Sequence, residues 1–215
     1  MKKSMYSLIL SDGVVAEIDR LAYKSNTNRS NMINQILAEY VSYVTPEKRM
    51  SQIFKQLEDI FSPSETFQTL LGNSVSVLNL RSSLDFKYNP SVRYSVELYR
   101  TSSNEVGQLK VYMRTQNSTL IYYMVEFFKL WTLIESKYTK DIRYTLDNAK
   151  FCRSLILHTQ SGITTDKLGE LIADYIKIFD KSLKIYFACI DTNISPNDEI
   201  ERIYVDYLKK CEIII

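Results

Sequence analysis

The sequence has little of what enzymes and metal sites use. It holds a single histidine, His158, and three cysteines that stand far apart and form no Cys-x-x-Cys pair. Its five glycines never cluster into a loop of the kind that cradles a phosphate group. Histidine-based metal sites and conventional catalytic triads therefore have almost no residues to draw on. We expect no enzymatic activity, no metal and no cofactor.

Strong charge of one sign, a long apolar run and a secretory leader are also lacking. The 27 Lys and Arg residues against 25 Asp and Glu residues leave a net charge of +2, too little to indicate nucleic-acid binding by composition alone. Residues 120–134, the most apolar stretch, contain Glu126 and Lys129, so no membrane span is expected. The N-terminus has neither a long apolar segment nor a cleavage site. Together with the unpaired cysteines, these absences predict a cytoplasmic protein.

The first 45 residues have the pattern of one strand followed by two helices. Residues 6–10 are β-prone and long enough for one strand. Ser11 or Asp12 is placed to cap a first helix, and Asn28 to cap a second. A lone strand and two helices cannot bury a core by themselves. The pattern therefore predicts a two-fold dimer in which two copies of the strand pair.

This combined pattern resembles the ribbon-helix-helix family of DNA-binding proteins (Arc/MetJ/CopG type). The resemblance covers residues 1–45 and rests on the Leu10-Ser11-Asp12 junction, on the helix face of Ile18, Leu21 and Ala22, and on Asn28-Arg29-Ser30 opening the second helix. It implies an intertwined homodimer whose two-stranded ribbon enters the major groove of double-stranded DNA. The remainder of the chain matches no family pattern.

The resemblance also implies roles for three sets of N-terminal residues. The strand side chains that face the DNA bases are Met5, Ser7 and Ile9. The resemblance assigns the phosphate contacts to Lys2, Lys3, Arg29 and Ser30. Arg29 and Ser30 open the second helix, and the N-terminus of a helix holds a phosphate. The resemblance assigns the dimer core to Tyr6, Leu8, Leu10, Ile33 and Leu37.

The base-facing set departs from the residue types that usually read DNA. Arg, Lys, Asn and Gln hydrogen-bond base edges, whereas Met5 and Ile9 can only pack on apolar features such as a thymine methyl group. Two interpretations follow from this departure. Either the module binds DNA largely through phosphates, or it retains dimerisation and uses its apolar face for protein contacts.

The rest of the chain divides into a connecting helix over residues 46–63 and a C-terminal domain over residues 64–215 whose role is unknown. Alternation between Val75 and Arg114 predicts a small antiparallel sheet of about three strands. After Asn117 the pattern is helical, with helices predicted over about 118–138, about 145–158, from Thr164 or Thr165 onward, and from Ser195-Pro196 to near Lys210. The predicted fold class is therefore α+β, an N-terminal ribbon-helix-helix dimer followed by a sheet-and-helix domain.

One face of the predicted sheet collects basic and aromatic side chains. Its members are Arg81, Arg93, Tyr99, Lys110, Tyr112 and Arg114. Basic residues interleaved with aromatics on a sheet bind single-stranded nucleic acid or an anionic ligand. The alternative is a solvated face with cross-strand ion pairs.

Three further features have both a functional and a structural interpretation. Cys152 and His158 are candidate metal ligands, but their six-residue spacing does not put them on one helical face, which favours core packing. The aromatic run from Tyr122 to Trp131 lines a ligand pocket, or it belongs to the core or to a dimer interface. The terminal isoleucines, residues 213–215, would promote aggregation if free, so we expect them to dock in a groove or at a sheet edge.

The sequence thus favours sequence-specific DNA binding by a homodimer or a higher oligomer, acting as a transcriptional regulator. The C-terminal domain would then sense a ligand, bind a protein partner or set the oligomeric state. The alternative is a structural adaptor of plasmid-maintenance or antitoxin type that uses the N-terminal module mainly for dimerisation. The long, aromatic-rich second domain counts against the antitoxin version.

Overall fold

A computed structural model describes residues 5–41, 43–70, 74–100, 103–147, 149–157, 163–192, 194–211, 213 and 215. Within it the chain forms two compact units, Met1–Arg49 and Met50–Ile215. We call these unit 1 and unit 2.

Unit 1 is a pair of helices, α1 (Asp12–Lys24) and α2 (Arg29–Tyr40). Asp12 in the first turn of α1 and Lys24 in its last turn complement the helix dipole. The predicted cap of the second helix is confirmed, because the side chain of Asn28 accepts a hydrogen bond of 2.9 Å from the Asn31 amide. The two helices pack through Ile18, Ala22, Met32 and Ile33.

The predicted N-terminal strand is wrong, and with it the predicted ribbon-helix-helix fold of the N-terminal domain. Residues 5–11 have no regular secondary structure, and α1 is the first element of the chain. A strand requires a hydrogen-bonded neighbour, and none of the strands described below pairs with this segment. Unit 1 is therefore a helix pair preceded by an unpaired apolar segment.

Unit 2 is a six-stranded antiparallel sheet packed against helices. The strands are β1 (Phe67–Leu70), β2 (Val77–Ser83), β3 (Ser91–Leu98), β4 (Glu105–Met113), β5 (Tyr144–Asp147) and β6 (Lys150–Ile156). They lie in the order β1-β2-β3-β4-β6-β5. The helices are α4 (Ser118–Tyr138), α5 (Thr165–Cys189), α6 (Asn197–Lys210) and, from Met50 onward, α3 (Pro46–Phe61), whose first four residues belong to unit 1.

The chain is α+β, but the prediction of a small three-stranded sheet is wrong. The strands expected between Val75 and Arg114 are present as β2, β3 and β4. The helix expected over 145–158 is instead the hairpin of β5 and β6. Arg153 explains the error, because it points into the core between Phe151 and Leu155 and breaks the apolar alternation that marks a strand.

The core of unit 2 lies between one face of the sheet and the helices. Phe61 of α3 contacts Phe67 of β1, and Phe179 of α5 contacts Tyr94 of β3. Phe128 of α4 stacks on Phe151 of β6 at a ring-centroid distance of 5.2 Å. The helix α6 packs on α4 and α5. These helices thus cover the first face of the sheet and leave the opposite face open.

Candidate nucleic-acid interface

The unpaired N-terminal segment presents its predicted base-facing side chains to solvent. Met5 and Ile9 are 98% and 102% exposed, and Ser7 is also exposed. Of the three residues of this segment predicted for a dimer core, Tyr6 is 83% exposed, Leu8 60% and Leu10 38%. The predicted phosphate contacts Lys2 and Lys3 lie outside the described residues.

The helices of unit 1 leave a second apolar surface uncovered. Leu37 and Val41, at the C-terminal end of α2, are 51% and 68% exposed, while Ile33 is partly buried. Among the described residues, the buried apolar cluster of unit 1 consists of Ile18, Ala22 and Met32, and Ala38 is buried outside this cluster. A core this small supplies little of the apolar burial that holds an independent domain together.

The start of α2 has the residues of an anion site, but its arginine is already engaged. Arg29 donates from Nε to Asp19 Oδ1 at 2.7 Å and from Nη2 to Asp19 Oδ2 at 2.5 Å. The hydrogen bond from Arg29 lowers the pKa of Asp19 below its usual value. Ser30, the second predicted phosphate contact in this turn, is exposed. Arg29 thus links α1 to α2 and keeps its Nη1 group without a partner among the described residues.

Other basic side chains of unit 1 are also paired with acids. Arg20 donates to Glu17 one turn earlier on α1 at 2.6 Å. Lys48 lies 3.1 Å from Glu39. These exposed ion pairs reduce the local positive potential that attracts a phosphate backbone.

The register of the unit 2 sheet shows which residues of the second predicted face come together. Arg81 on β2 lies opposite Arg93 on β3, and Arg93 lies opposite Tyr112 on β4. Arg114 follows the last residue of β4 and is exposed, two residues beyond Tyr112. Three of the six predicted residues therefore form a single row across the open face, with Arg114 close to one end.

Lys110 and Tyr99, the other two members, belong to a neutralised cluster around Glu97. Lys110 Nζ and Gln108 Nε2 both donate to Glu97 Oε2 at 2.7 Å. The hydrogen bond from Lys110 lowers the pKa of Glu97, and the same bond raises the pKa of Lys110. Burial, followed by the charges of Glu105 and Glu97, raises the pKa of Tyr99. This part of the face fits the predicted alternative of cross-strand ion pairs.

Sequence analysis missed a polar network inside unit 2. Arg153 lies 2.8 Å from Glu135, and both side chains have no exposed surface. The Tyr175 hydroxyl donates to Glu135 Oε2 at 3.0 Å and accepts from Trp131 Nε1 at 2.9 Å. Burial raises the pKa of Tyr175 well above its usual value, so the hydroxyl stays protonated and donates. The signal in the sequence was a charged residue at an inward position of each of two apolar elements, Glu135 on α4 and Arg153 on β6, and it did not reveal that the two meet.

Burial in unit 2 also decides two further predictions made from the sequence. From the aromatic run, Phe127, Phe128 and Trp131 are fully buried and belong to the core. The carbonyl oxygen of Ile215 accepts a hydrogen bond from Arg153, and the Ile215 side chain is buried, as expected for a docked residue, whereas Ile214 lies outside the described residues.

Nothing in the described residues supports Cys152 and His158 as a pair of metal ligands. Cys152 lies on the open face of β6, where its Sγ donates to Gln108 Oε1 at 2.9 Å, and His158 lies outside the described residues. Across the described ranges, no three His, Cys, Asp or Glu residues are grouped closely enough to hold a metal ion.

Comparisons with protein-family models, curated proteins and solved structures return no match for this chain. Among the helices in the described part of the chain, none is long and apolar enough to cross a membrane.

Proposed function

We propose that this chain is a homodimeric, cytoplasmic protein that binds double-stranded DNA sequence-specifically and regulates transcription. The observation that carries the proposal is the exposed apolar segment before α1, which lies next to a helix pair with a very small core of its own. In this proposal the exposed segment meets base edges and the start of α2 meets phosphates. The function involves no chemical step.

A second copy of the chain is the occupant that best fits the exposed apolar surface of unit 1. Leu8, Leu37 and Val41 are apolar and at least half exposed, whereas buried leucines and valines stabilise a domain by about 1.5–3 kcal/mol each. In a two-fold dimer the same patch on each copy covers the other. Such a dimer supplies the apolar core that unit 1 lacks alone.

The DNA contacts fall into base-facing and phosphate-facing groups. Met5, Ser7 and Ile9 are exposed and free to meet base edges, with the two apolar side chains suited to thymine methyl groups. Arg29 and Ser30 stand in the first turn of α2, where the helix dipole favours an anion. Arg29 retains its Nη1 donors while it is paired with Asp19.

The ion pairs of unit 1 favour one alternative, a structural adaptor in which the module dimerises without binding DNA. Glu17 and Asp19 neutralise Arg20 and Arg29, the two arginines of the helix pair. An adaptor of this kind would use the exposed apolar side chains to bind a protein partner. The two functions differ in their response to salt, because only a DNA binder releases counterions from phosphates.

The test is fluorescence anisotropy of labelled duplex DNA titrated with the full chain at several salt concentrations. A binder that contacts several phosphates loses affinity by orders of magnitude between ~50 and ~200 mM salt. Arg29→Ala lowers the affinity for all duplex sequences and reduces the logarithmic salt slope by about one. Arg202→Ala, which removes an exposed arginine from α6, is the matched control and leaves both quantities unchanged. Absence of duplex binding by a sample shown to be dimeric supports the adaptor instead.

A further inference from the structure

The open face of the unit 2 sheet carries a row of basic side chains that the proposed function does not use. The row runs from Arg81 on β2 through Arg93 on β3 and Tyr112 on β4 to Lys150 on β6, each directly opposite the next. We call these four residues the basic row. Their chain neighbours Val92, Val111 and Phe151 are buried under the helices, so the row lies on the uncovered side.

The two arginines of the basic row stand in a repulsive arrangement. Side chains directly opposite on antiparallel strands have Cβ atoms about 4.5–5.5 Å apart, and like charges there are destabilising. Arg81 donates to the neutral Gln68 on β1, its opposite neighbour on the other side. Arg93 is half-buried and has neither an ion pair nor a hydrogen-bond partner among the described residues.

Acidic side chains on the same face are too far away to compensate this pair. Asp147 on β5 lies opposite Lys150, three strand spacings from Arg93, which is about 14 Å. Glu97 lies four residues along β3, about 13 Å from Arg93, and is held by Lys110 and Gln108. The arginine pair is thus uncompensated, in contrast to the neutralised Lys110–Glu97 cluster beside it.

An uncompensated pair of guanidinium groups, exposed at Arg81 and partly buried at Arg93, is suited to a phosphate. Arginine presents planar donors that match phosphate oxygens two at a time, and such charge-assisted hydrogen bonds are about twice as strong as neutral ones. A dianionic group between Arg81 and Arg93 converts their mutual repulsion into two attractions. Exposed Arg114, two residues beyond Tyr112, adds positive charge at the same edge of the site.

Tyr112 extends the site from a phosphate to a nucleotide. Its ring is partly exposed and makes neither a ring contact nor a hydrogen bond within the described residues. It stands between Arg93 and Lys150, so a base stacked on the ring has a cationic side chain on either side. Base stacking on an aromatic side chain tolerates any base, because every base has a π-face.

We propose that the basic row is a nucleotide-binding site in which Arg81 and Arg93 hold a phosphate and Tyr112 stacks on the base. The same chemistry is offered by a free nucleotide and by a single-stranded nucleic acid, whose next phosphate would meet Lys150. All four residues of the site lie in unit 2, and the residues assigned to duplex binding lie in unit 1.

The experiment measures binding of the full chain to a fluorescein-labelled (dT)12 strand, with unlabelled ATP and inorganic phosphate as competitors. Arg93→Gln weakens binding by about tenfold or more, because it removes a charge-assisted contact. Tyr112→Ala weakens it by roughly fivefold or more, whereas Tyr112→Phe, which keeps the ring, stays close to the wild type. Arg202→Gln removes the same charge from α6 and leaves binding unchanged.

Two further readouts separate this site from misfolding and from unit 1. Without ligand, Arg93→Gln melts at the same temperature as the wild type or higher, because it relieves the repulsion with Arg81. Its affinity for duplex DNA does not change. Displacement of the strand by ATP shows that a single nucleotide fills the site, whereas a strand that neither ATP nor inorganic phosphate displaces shows that the site requires a nucleic acid.

Three results would overturn the proposal. The first is no binding of the strand or of ATP by the wild-type protein. The second is equal loss of binding with Arg93→Gln and Arg202→Gln, which would indicate general electrostatic attraction. The third is full binding by Tyr112→Ala, which would leave the base without the contact assigned to it.

Discussion

Arg29 at the first position of α2 is clamped to Asp19 of α1 by two hydrogen bonds, of 2.7 Å from Nε and 2.5 Å from Nη2. The pair holds the two helices of unit 1 at the site where the sequence predicts a phosphate contact. Asp19 therefore orients Arg29 but also reduces the positive potential at the start of α2. The balance between these two effects is open to measurement.

Asp19→Asn is expected to strengthen duplex binding. The substitution keeps the shape of the side chain, removes a negative charge beside the expected phosphate and frees the Arg29 donors. The logarithmic salt slope steepens by up to about one in the same titrations, opposite in sign to the change from Arg29→Ala. If Asp19→Asn weakens duplex binding as much as Arg29→Ala does, the pair acts only through the helix arrangement.

Leu37→Glu is expected to dissociate the homodimer. Leu37 is half exposed in the single chain, and a carboxylate buried at the interface of two copies lacks a partner. We expect the dimer dissociation constant from sedimentation equilibrium to rise at least about thirtyfold. Leu133→Glu on α4, which alters a leucine of similar exposure, leaves the dissociation constant unchanged. A wild-type chain that sediments as a monomer would remove the basis for this interface.

Arg153→Met is expected to destabilise unit 2 by about 3–5 kcal/mol, because Glu135 would remain buried without its cation. Adding Glu135→Gln recovers most of the loss, since a neutral amide carries no charge and still accepts from Tyr175. Urea unfolding followed by the fluorescence of Trp131, the single tryptophan of the chain, measures both values. If Arg153→Met alone lowers the unfolding free energy by less than about 1 kcal/mol, the buried Glu135 carboxylate does not depend on its cation, which contradicts the expectation.

Glu97 is expected to make the stability of unit 2 depend on acid pH. The hydrogen bond from Lys110 lowers the pKa of Glu97, so its contribution is present above the unfolded value of 4.5 and is lost as the pH falls through the folded pKa. The difference in unfolding free energy between wild type and Glu97→Gln is therefore constant near neutral pH and shrinks below pH 4.5. A difference that grows on acidification would contradict the lowered pKa.

Elements with regular periodicity were predictable from the sequence. The helices α4, α5 and α6 and the strands β2 to β4 follow clear apolar spacing, and the cap at Asn28 has the side chain that such caps use. The strands β5 and β6 were mistaken for a helix because the inward position between Phe151 and Leu155 is the charged Arg153. Its partner Glu135 lies on a distant helix, and sequence periodicity contains no information on such a pairing.

The candidate sites were predictable only as sets of residues. Sequence alternation placed Arg81, Arg93 and Lys110 on one face of a sheet, but strand register decides which of them meet. The register joins the two arginines and assigns Lys110 to Glu97. Similarly, the ion pair of Arg29 with Asp19 depends on how two helices pack, which the spacing along each helix does not specify.

The most direct measurement is selection of the purified full chain on a pool of random duplex DNA at ~150 mM salt, a concentration that suppresses weak non-specific binding. A homodimeric regulator enriches an inverted or tandem repeat, whose half-sites are spaced by about one helical turn. No enriched sequence, from a sample that sediments as a dimer, would contradict sequence-specific DNA binding.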